Sequence, residues 1–318
     1  MLTRRRTLAL AAGLAAGGGS AALAAGPRAV RLGQGPIITP ETHPSIGTNI
    51  AEPSLIRVPP WAKEALGRYY LYFADHVGQY IRMAYADRLE GPWRVHPPGV
   101  LRIEQTPFPT NLEGGHIASP DVHVDQERRR FVMYFHGLER LPNEQVTRVA
   151  TSPDGLAFAS AGPEILGLTY WRAFPFRGMT YAMAMPGQFY RSEDPLSGFE
   201  TGPRLFNTNM RHGTVVVRGD QLKVAWTQVG DAPERIYLTT IDASGPWERW
   251  TQSAPVEILR PELDWEGAQL PAEPSVRGAV ERPVNQLRDP FFFEERGRLY
   301  MVYGIAGERG LALAEVFL

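Results

Sequence analysis

One short pattern occurs five times along this chain, and it restricts the fold more than any other feature. In its last copy, Arg288 and Asp289 begin an apolar segment, a polar turn follows, and a second aromatic segment covers residues 299–303. Short apolar segments with turn residues between them indicate β strands. Helical periodicity is nearly absent, so the sequence predicts an all-β fold. The first strand of each copy is predicted at residues 50–56, 117–124, 171–176, 211–217 and 288–293.

The five copies are spaced like the blades of a β-propeller. Each unit has roughly 50 to 60 residues, which is what a four-stranded blade with its loops requires. The last unit ends after its third strand, so a strand from the N-terminal region must complete it. Residues 29–32 or 36–38 can supply that strand, and closing the ring removes an exposed sheet edge. We therefore expect residues 26–318 to form a single five-bladed domain with four-stranded blades.

Residues 1–25 have the pattern of an export signal. The segment TRRRTL at residues 3–8 resembles a twin-arginine motif, and an Ala/Gly-rich run leads to a small-residue cleavage site at residues 22–24. A transmembrane anchor is the alternative, but the apolar run is short and rich in glycine. Twin-arginine export predicts a periplasmic or extracellular protein. The chain has no cysteine, so it has neither disulfides nor a thiol nucleophile.

Charge and composition exclude some classes of partner. A formal net charge of −1 carries no basic cluster of the kind that binds nucleic acid or an anionic membrane surface. No spacing motif for a metal is present. Aromatic residues make up 10% of the chain, which suits both β strands and stacking against sugar rings. The long stretch at residues 255–287 exceeds an ordinary connection, and such stretches are usually functional or disordered.

Charged residues recur where the predicted first strands begin. Aligning the five units places Glu52, Asp121, Arg172, His212 and Asp289 at or near these starts, which line one mouth of a propeller channel. Any one of them could simply cap a turn at a strand start. Taken together, they predict a functional site.

A second group of polar residues is expected around the same mouth. Histidines there could bind sugar hydroxyls, carry protons or ligate a metal. The candidates for substrate binding, besides Arg172 and His212, are Asp75, His76, His116, His136, Glu234, Arg235 and Arg288.

In three of the predicted first strands a proline stands next to an acidic residue, and this pattern resembles that of a known family. Pro53, Pro120 and Pro290 occupy corresponding places, and the five units resemble the five-bladed β-propeller glycoside hydrolases, the arabinanase, xylosidase and levansucrase-like superfamily. The resemblance covers about residues 36–318. It is closest to a secreted bacterial branch whose first unit usually reads Asn-Gly-Pro-Ser, where this chain has Ala-Glu-Pro-Ser at residues 51–54. Some members hold a calcium ion in the channel; otherwise the resemblance implies no cofactor.

The resemblance implies a carboxylate base, a second carboxylate that tunes the acid, and a Glu general acid. Two carboxyl groups must flank the scissile bond, about 6.5–9.5 Å apart if water attacks directly. Glu52 or Asp121 matches the base-like positions. The third unit has Arg172 where those families often place a Glu motif, which leaves Asp289 and Glu234 as substitutes for the acid.

These inferences predict a secreted glycoside hydrolase that acts on an oligo- or polysaccharide. Its expected catalytic residues are Asp121, Asp289 and Glu52. A non-catalytic carbohydrate-binding propeller is the alternative, favoured by the missing Glu acid in the third unit. A glycoside phosphorylase would need an anion pocket, for which Arg172, Arg211, Arg235 and Arg288 could serve, but export disfavours it because phosphorolysis conserves energy only inside the cell.

Overall fold

The computed structural model describes residues 26–318, and the predicted export signal lies outside them. Five antiparallel sheets surround a central channel. The strands of the first two sheets are β2 (Ala51–Arg57), β3 (Tyr69–Ala74), β4 (Tyr80–Ala86), β5 (Arg94–Arg102), and β6 (Ile117–Asp125), β7 (Arg130–Arg140), β8 (Glu144–Ser152), β9 (Ala159–Ser160). Those of the third and fourth are β10 (Arg172–Phe176), β11 (Met179–Ala184), β12 (Gln188–Ser192), β13 (Glu200–Arg204), and β14 (Met210–Arg218), β15 (Gln221–Gln228), β16 (Ile236–Asp242), β17 (Thr251–Gln252), β18 (Val256–Leu259). The fifth sheet contains β19 (Arg288–Glu295), β20 (Arg298–Gly304), β21 (Leu311–Phe317) and β1 (Arg28–Leu32).

Helical structure in the described residues is limited to five short 3₁₀ turns, at Pro40–Thr42, Pro44–Ile46, Ile103–Gln105, Trp247–Arg249 and Asp264–Glu266. Across residues 26–318, no helix has the length and apolar character needed to span a bilayer. The predicted all-β, five-bladed propeller is confirmed. The fourth blade departs slightly from the four-stranded plan, because both β17 and β18 pair with β16.

The ring closes through an N-terminal strand, as predicted. β1 pairs with β21 in antiparallel register, from Arg28 opposite Phe317 to Leu32 opposite Leu313. Of the two candidate segments, residues 29–32 form this strand, whereas 36–38 contributes only an isolated bridge. Arg31 anchors the closing strand further, since its guanidinium donates to both carboxylate oxygens of Glu266 at 2.8 Å.

The aromatic second strands have no polar face because each sheet packs between two neighbours. In β3, Tyr70 and Tyr72 pack against the second blade, while Leu71 and Phe73 pack against the fifth. Successive side chains of a strand point to opposite faces of its sheet. Both faces are buried here, so both sets of side chains are apolar or aromatic. This explains why the sequence shows apolar runs in these strands.

The first strands carry a repeated irregularity where they begin. In β2, β6, β14 and β19, two residues stand opposite a single residue of the partner strand, which is a β-bulge. Three of these bulges have proline as their second residue, and proline suits a position that donates no ladder hydrogen bond. In the third blade, Tyr170 lies just before β10 and has the same left-handed backbone as the first bulge residues Glu52, Ser119 and Asp289. We call the first residues of these five irregularities the bulge ring: Glu52, Ser119, Tyr170, Arg211 and Asp289.

Four members of the bulge ring have left-handed backbone conformations. The φ angles are 60° at Glu52, 50° at Ser119, 56° at Tyr170 and 51° at Asp289. Residues other than glycine rarely adopt such angles, and each costs on the order of 1–3 kcal/mol. Such strain is typical of functional sites, where the surrounding structure holds a side chain in a required direction. The bulge ring therefore indicates where the functional end of the channel lies.

Candidate active site

A cavity of about 630 Å³ opens at the channel mouth where the first strands begin. This volume lies within the range of small-molecule sites. Its wall combines aromatic, amide and basic side chains, chiefly His76, His116, Gln145, Tyr170, Arg211 and Arg277. None of the described residues that line it is Asp or Glu. A ligand in this cavity therefore meets donors and a phenol ring before it meets any carboxylate.

Two carboxylates of the bulge ring lie together beneath this cavity. Glu52 is 0% exposed and Asp289 is 1% exposed. The Glu52 N–H donates to Asp289 Oδ2 at 3.3 Å, and the Ser119 N–H donates to Glu52 Oε2 at 2.6 Å. Within the described chain, Glu52 Oε1 has no hydrogen-bond partner. That oxygen is therefore able to accept a proton.

The pKa values of the two carboxyl groups are shifted in opposite directions. Burial, together with the negative charges of Asp289 and Glu308, raises the pKa of Glu52 to about 7, although His76 opposes the shift. Burial alone would raise the pKa of Asp289 as well, but contact with His212 holds it below its usual range. Nδ1 of His212 reaches Asp289 Oδ1. Burial lowers the pKa of His212, so this imidazole is neutral and donates its Nδ1–H to an ionised Asp289.

Tyr170 separates the carboxylate pair from the cavity. Its ring lines the cavity and lies between two imidazoles, with centroids 4.9 Å from His136 and 4.5 Å from His212. Burial raises the pKa of Tyr170 well above its ordinary value, and the charges of Glu52 and Asp289 add to this. The phenol therefore stays protonated and covers the pair.

We expect Tyr170→Gly to expose Glu52 and to lower its pKa from about 7 towards the ordinary carboxyl value. Removing the ring admits water, which relieves the burial that contributes most to the shift. Glycine also accepts the left-handed backbone at this position. The measurement is a carbon-13 NMR titration of the glutamate carboxyl groups. Tyr170→Phe, which keeps the ring, should leave the Glu52 titration nearly unchanged; an equal shift in both variants would contradict the covering role.

A buried network of charged side chains supports the mouth from behind. Arg288 Nη1 donates to Glu308 Oε1 at 2.6 Å, and Arg288 Nε lies 3.5 Å from Glu234 Oε2. Arg211 Nη1 lies 3.4 Å from that same oxygen. All four side chains are 2% exposed or less. Buried charges persist only when they are paired in this way.

This network also fixes the long stretch at residues 255–287, which the sequence analysis predicted to be either functional or disordered. Arg211 donates to the carbonyl oxygens of Val276 at 2.9 Å and Gly278 at 2.8 Å, and the Val280 N–H donates to Glu308 Oε2 at 3.2 Å. The stretch therefore crosses the mouth and contributes Arg277 to the cavity wall.

Most of the predicted site residues lie at this mouth. The structure brings Glu52 and Asp289 together as expected. The predicted substrate-binding residues at or just below the cavity are His76, His116, His136, His212, Glu234 and Arg288. Asp75 lies at the rim, where its carboxylate pairs with Arg82 at 3.1 Å.

Asp121 and Arg172 do not belong to the bulge ring, which corrects the sequence alignment by two residues. Ser119, not Asp121, is the counterpart of Glu52, because Asp121 stands opposite Tyr134 as Ser54 stands opposite Tyr72. Asp121 Oδ2 accepts the Ala173 N–H of the next blade at 2.7 Å, just as Ser54 Oγ accepts that of Val122 at 2.8 Å. Its role here is to join blades.

Asp121 and Arg172 instead line a second cavity, of about 310 Å³, further along the first strands and towards the opposite end of the channel. Asp121 Oδ2 also pairs there with His123 Nε2 at 2.8 Å. The Arg172 guanidinium donates to the carbonyl of Pro120 at 3.0 Å. Arg235 lies in the connection between β15 and β16, but its guanidinium pairs with Glu257 of the outer strand β18 at 3.2 Å and does not line the cavity.

Several polar residues of the mouth were not among the predicted site residues, including Gln145 and Arg277 of the cavity wall and Ser119, Asn49 and Glu308. Ser119 could have been found by aligning the prolines, because Pro120 follows it as Pro53 follows Glu52. Asn49 and Glu308 come from a loop and from the hairpin of the fifth blade, and no pattern marks them. Asn49 Nδ2 donates to Glu308 Oε2 at 2.7 Å.

The residues at the channel mouth do not fit a calcium ion. Residues 26–318 contain no group of three or more His, Asp or Glu side chains placed to hold a metal. In the described chain, the buried atoms without partners at the mouth include Glu52 Oε1, His136 Nδ1 and His212 Nε2, which are mostly nitrogen. Calcium takes six to eight oxygen ligands. No step is therefore assigned to a metal.

Comparison with known proteins gives one sequence relative and many structural ones. No protein-family model matches the chain. The uncharacterized protein R118 of Acanthamoeba polyphaga mimivirus is 38% identical over 299 residues, covering 84% of this chain and 83% of that protein.

Three solved structures illustrate the shared fold. A thermostable family-43 glycoside hydrolase has a TM-score of 0.57 at 15% identity, covering 85% of this chain and 89% of that one. CoXyl43, a β-xylosidase/α-arabinofuranosidase from a compost metagenome, has a TM-score of 0.57 at 13% identity, covering 91% and 94%. A GH43_1 enzyme from Xanthomonas citri has a TM-score of 0.57 at 13% identity, covering 88% and 90%. At these identities the similarity establishes the fold.

Proposed function

This chain belongs to the same protein family as the mimivirus protein R118, and we propose that it is a glycoside hydrolase acting on an oligo- or polysaccharide. The observation that carries the proposal is the buried pair of Glu52 and Asp289, whose pKa values move in opposite directions. Environments that separate the pKa values of two carboxyl groups are what acid–base hydrolysis requires. The fold agrees, because GH43 enzymes share it.

Glu52 has the properties of the general base. Its pKa of about 7 places it near the value at which a base works best at neutral pH. Its Oε1 atom has no partner in the described chain, so it can take a proton from the attacking water. Asp289 stays ionised beside it, and its charge keeps the pKa of Glu52 raised. Since Tyr170 covers both groups, catalysis requires its ring to rotate away.

The cavity suits a carbohydrate of modest size. Its amide and imidazole groups can bind hydroxyls, and Tyr170 offers a ring face. The neighbouring structures include a β-xylosidase/α-arabinofuranosidase and an exo-1,5-α-L-arabinanase, so xylose- and arabinose-containing glycans are the first to test. The export pattern of residues 1–25 supports action in the periplasm or outside the cell, as in the secreted bacterial branch that the first unit resembles.

A non-catalytic carbohydrate-binding protein is the second candidate. It is favoured by one observation, the complete burial of both carboxylates behind Tyr170. A phosphorylase lacks comparable support. Arg172 lines the second cavity and Arg235 pairs with Glu257, while Glu234 and Glu308 already neutralise Arg211 and Arg288.

The test is sugar release from a panel of xylans, arabinans and bacterial polysaccharides. Asp289→Asn removes the charge that helps to raise the pKa of Glu52. We therefore expect it to lower activity and to move the acidic limb of the kcat/KM profile to lower pH. Asp121→Asn, an equally conservative change at the inter-blade position, should leave that limb in place. Binding of a glycan without release of sugar would favour the second candidate, and equal shifts in both variants would contradict the assigned site.

A further inference from the structure

A glycosidase needs a proton donor that touches the leaving group, and neither buried carboxylate is that donor, because Glu52 serves as the base and Asp289 stays ionised. The titratable groups on the described cavity wall are His76, His116, Tyr170, Arg211 and Arg277. Arginine does not release its proton in proteins. Tyr170 holds its proton too tightly, because its pKa is raised well above the ordinary value. Burial lowers the pKa of His116, so its imidazole is mostly neutral at neutral pH and is a poor proton donor.

We propose that His76 is the general acid of this site, delivering its Nε2 proton to the leaving oxygen, and that Glu308 and Asn49 are its positioning residues. The proposal rests on the hydrolase function above. His76 lines the cavity, and its side chain is 13% exposed. Its Nδ1 lies 3.1 Å from Glu308 Oε1, and its Nε2 lies 3.4 Å from the Tyr170 hydroxyl.

The positioning residues hold His76 from two sides. Glu308 accepts the Nδ1–H, which fixes the ring orientation and turns Nε2 towards the cavity. Asn49 donates its amide to Glu308 and accepts the backbone N–H of His76 at 3.0 Å. The hairpin of the fifth blade therefore contacts the imidazole, and the loop before β2 contacts the backbone of the same histidine. A histidine held only for packing would not need both contacts.

The electrostatic surroundings favour the protonated form of His76. Burial alone would lower its pKa, but the hydrogen bond and charge of Glu308, together with the charge of Glu52, raise it above the ordinary value. Arg211 opposes this shift. The neighbouring imidazoles of His116 and His136 have lowered pKa values and are neutral. His76 is therefore the cationic imidazole of the group.

The proposed step balances with water as the only co-reactant. Water attacks the anomeric carbon while Glu52 takes one of its protons. The glycosidic C–O bond breaks with its electron pair on the leaving oxygen, which takes the Nε2 proton of His76. Glu52 ends protonated and His76 ends neutral. Transfer of one proton from Glu52 to solvent and one from solvent to His76 restores the starting state.

Leaving-group dependence tests this role. The probes are the methyl and 4-nitrophenyl β-D-xylosides and α-L-arabinofuranosides. His76→Gln should lower kcat/KM on the methyl glycosides by about 10²–10⁴-fold but on the 4-nitrophenyl glycosides by less than about tenfold, because nitrophenolate leaves without protonation. Glu52→Gln should lower both, since water must be activated in either case. Equal losses on both probes in His76→Gln, or no loss, would overturn the proposal.

His123→Gln is the matched control, because His123 also pairs with a carboxylate but at the opposite end of the channel. It should behave like the wild type on both probes. If the wild type cleaves none of the four glycosides, the hydrolase function itself is contradicted. The same follows if Glu52→Gln has the same kcat/KM on them as the wild type.

An NMR titration of the His76 ring gives a second readout that needs no substrate and does not depend on His76→Gln folding. Glu308→Gln should lower the imidazole pKa. An unchanged value would contradict the positioning role.

Discussion

Glu52→Gln should reduce kcat by about 10²–10⁴-fold and leave KM nearly unchanged, because general-base catalysis contributes that much and the amide has the same shape. The glutamine carbonyl can still accept the Ser119 N–H that now reaches Glu52 Oε2 at 2.6 Å. It cannot take a proton from water. The loss should therefore appear in the chemical step.

The pH dependence gives this prediction a sharper form. Protonation removes the base, so wild-type kcat/KM should fall as the pH drops through about 7, the pKa of Glu52. In Glu52→Gln the residual activity should lack this acidic limb. Glu295→Gln, near the far end of β19 from Asp289, is the control and should keep the wild-type profile. A Glu52→Gln variant that retains both the rate and the limb would show that another group is the base.

Arg288→Met should destabilise the fold by about 3–5 kcal/mol, which is the usual cost of removing one partner from a buried ion pair. Arg288 is 0% exposed and contacts Glu308 at 2.6 Å, Glu234 at 3.5 Å and Gln286 at 2.5 Å. Methionine fills much of the space but supplies no charge, so both carboxylates lose a counter-ion. The measurement is the free energy of unfolding from urea denaturation.

A comparison within the fifth blade separates the charge effect from a general sensitivity of this blade to substitution. Arg298→Met removes a solvent-exposed pair with Glu315 in the same blade and should move the urea midpoint far less, because water screens such a pair. Equal shifts of the urea midpoint in Arg288→Met and Arg298→Met would contradict this account.

The blades could be predicted because their signals are local. Apolar segments with turns between them set five strand groups, and the incomplete fifth unit required an N-terminal strand, which the pairing of β1 with β21 confirms. Glu52 and Asp289 were also identified correctly as neighbours at one mouth. Each precedes a proline at the start of a first strand, and the fold repeats that position around one channel.

Asp121 could not be placed from its motif alone. Its proline precedes it, whereas the prolines beside Glu52 and Asp289 follow those residues. The bulge therefore sets Ser119 in the ring and moves Asp121 two residues along, where it accepts a hydrogen bond from the next blade. A shift of two residues along the first strand therefore moves a side chain from the mouth to the cavity near the opposite end of the channel.

The sequence by itself determined the repeat, the all-β class and the charged residues that begin the first strands, because strand alternation and turn chemistry act over a few residues. Only the tertiary structure decided which side chains meet. Glu308 and His76 are 232 residues apart in the chain and come into contact through closure of the ring. The protonation states of Glu52 and Asp289 depend likewise on burial and on neighbours from other blades, which no local pattern records.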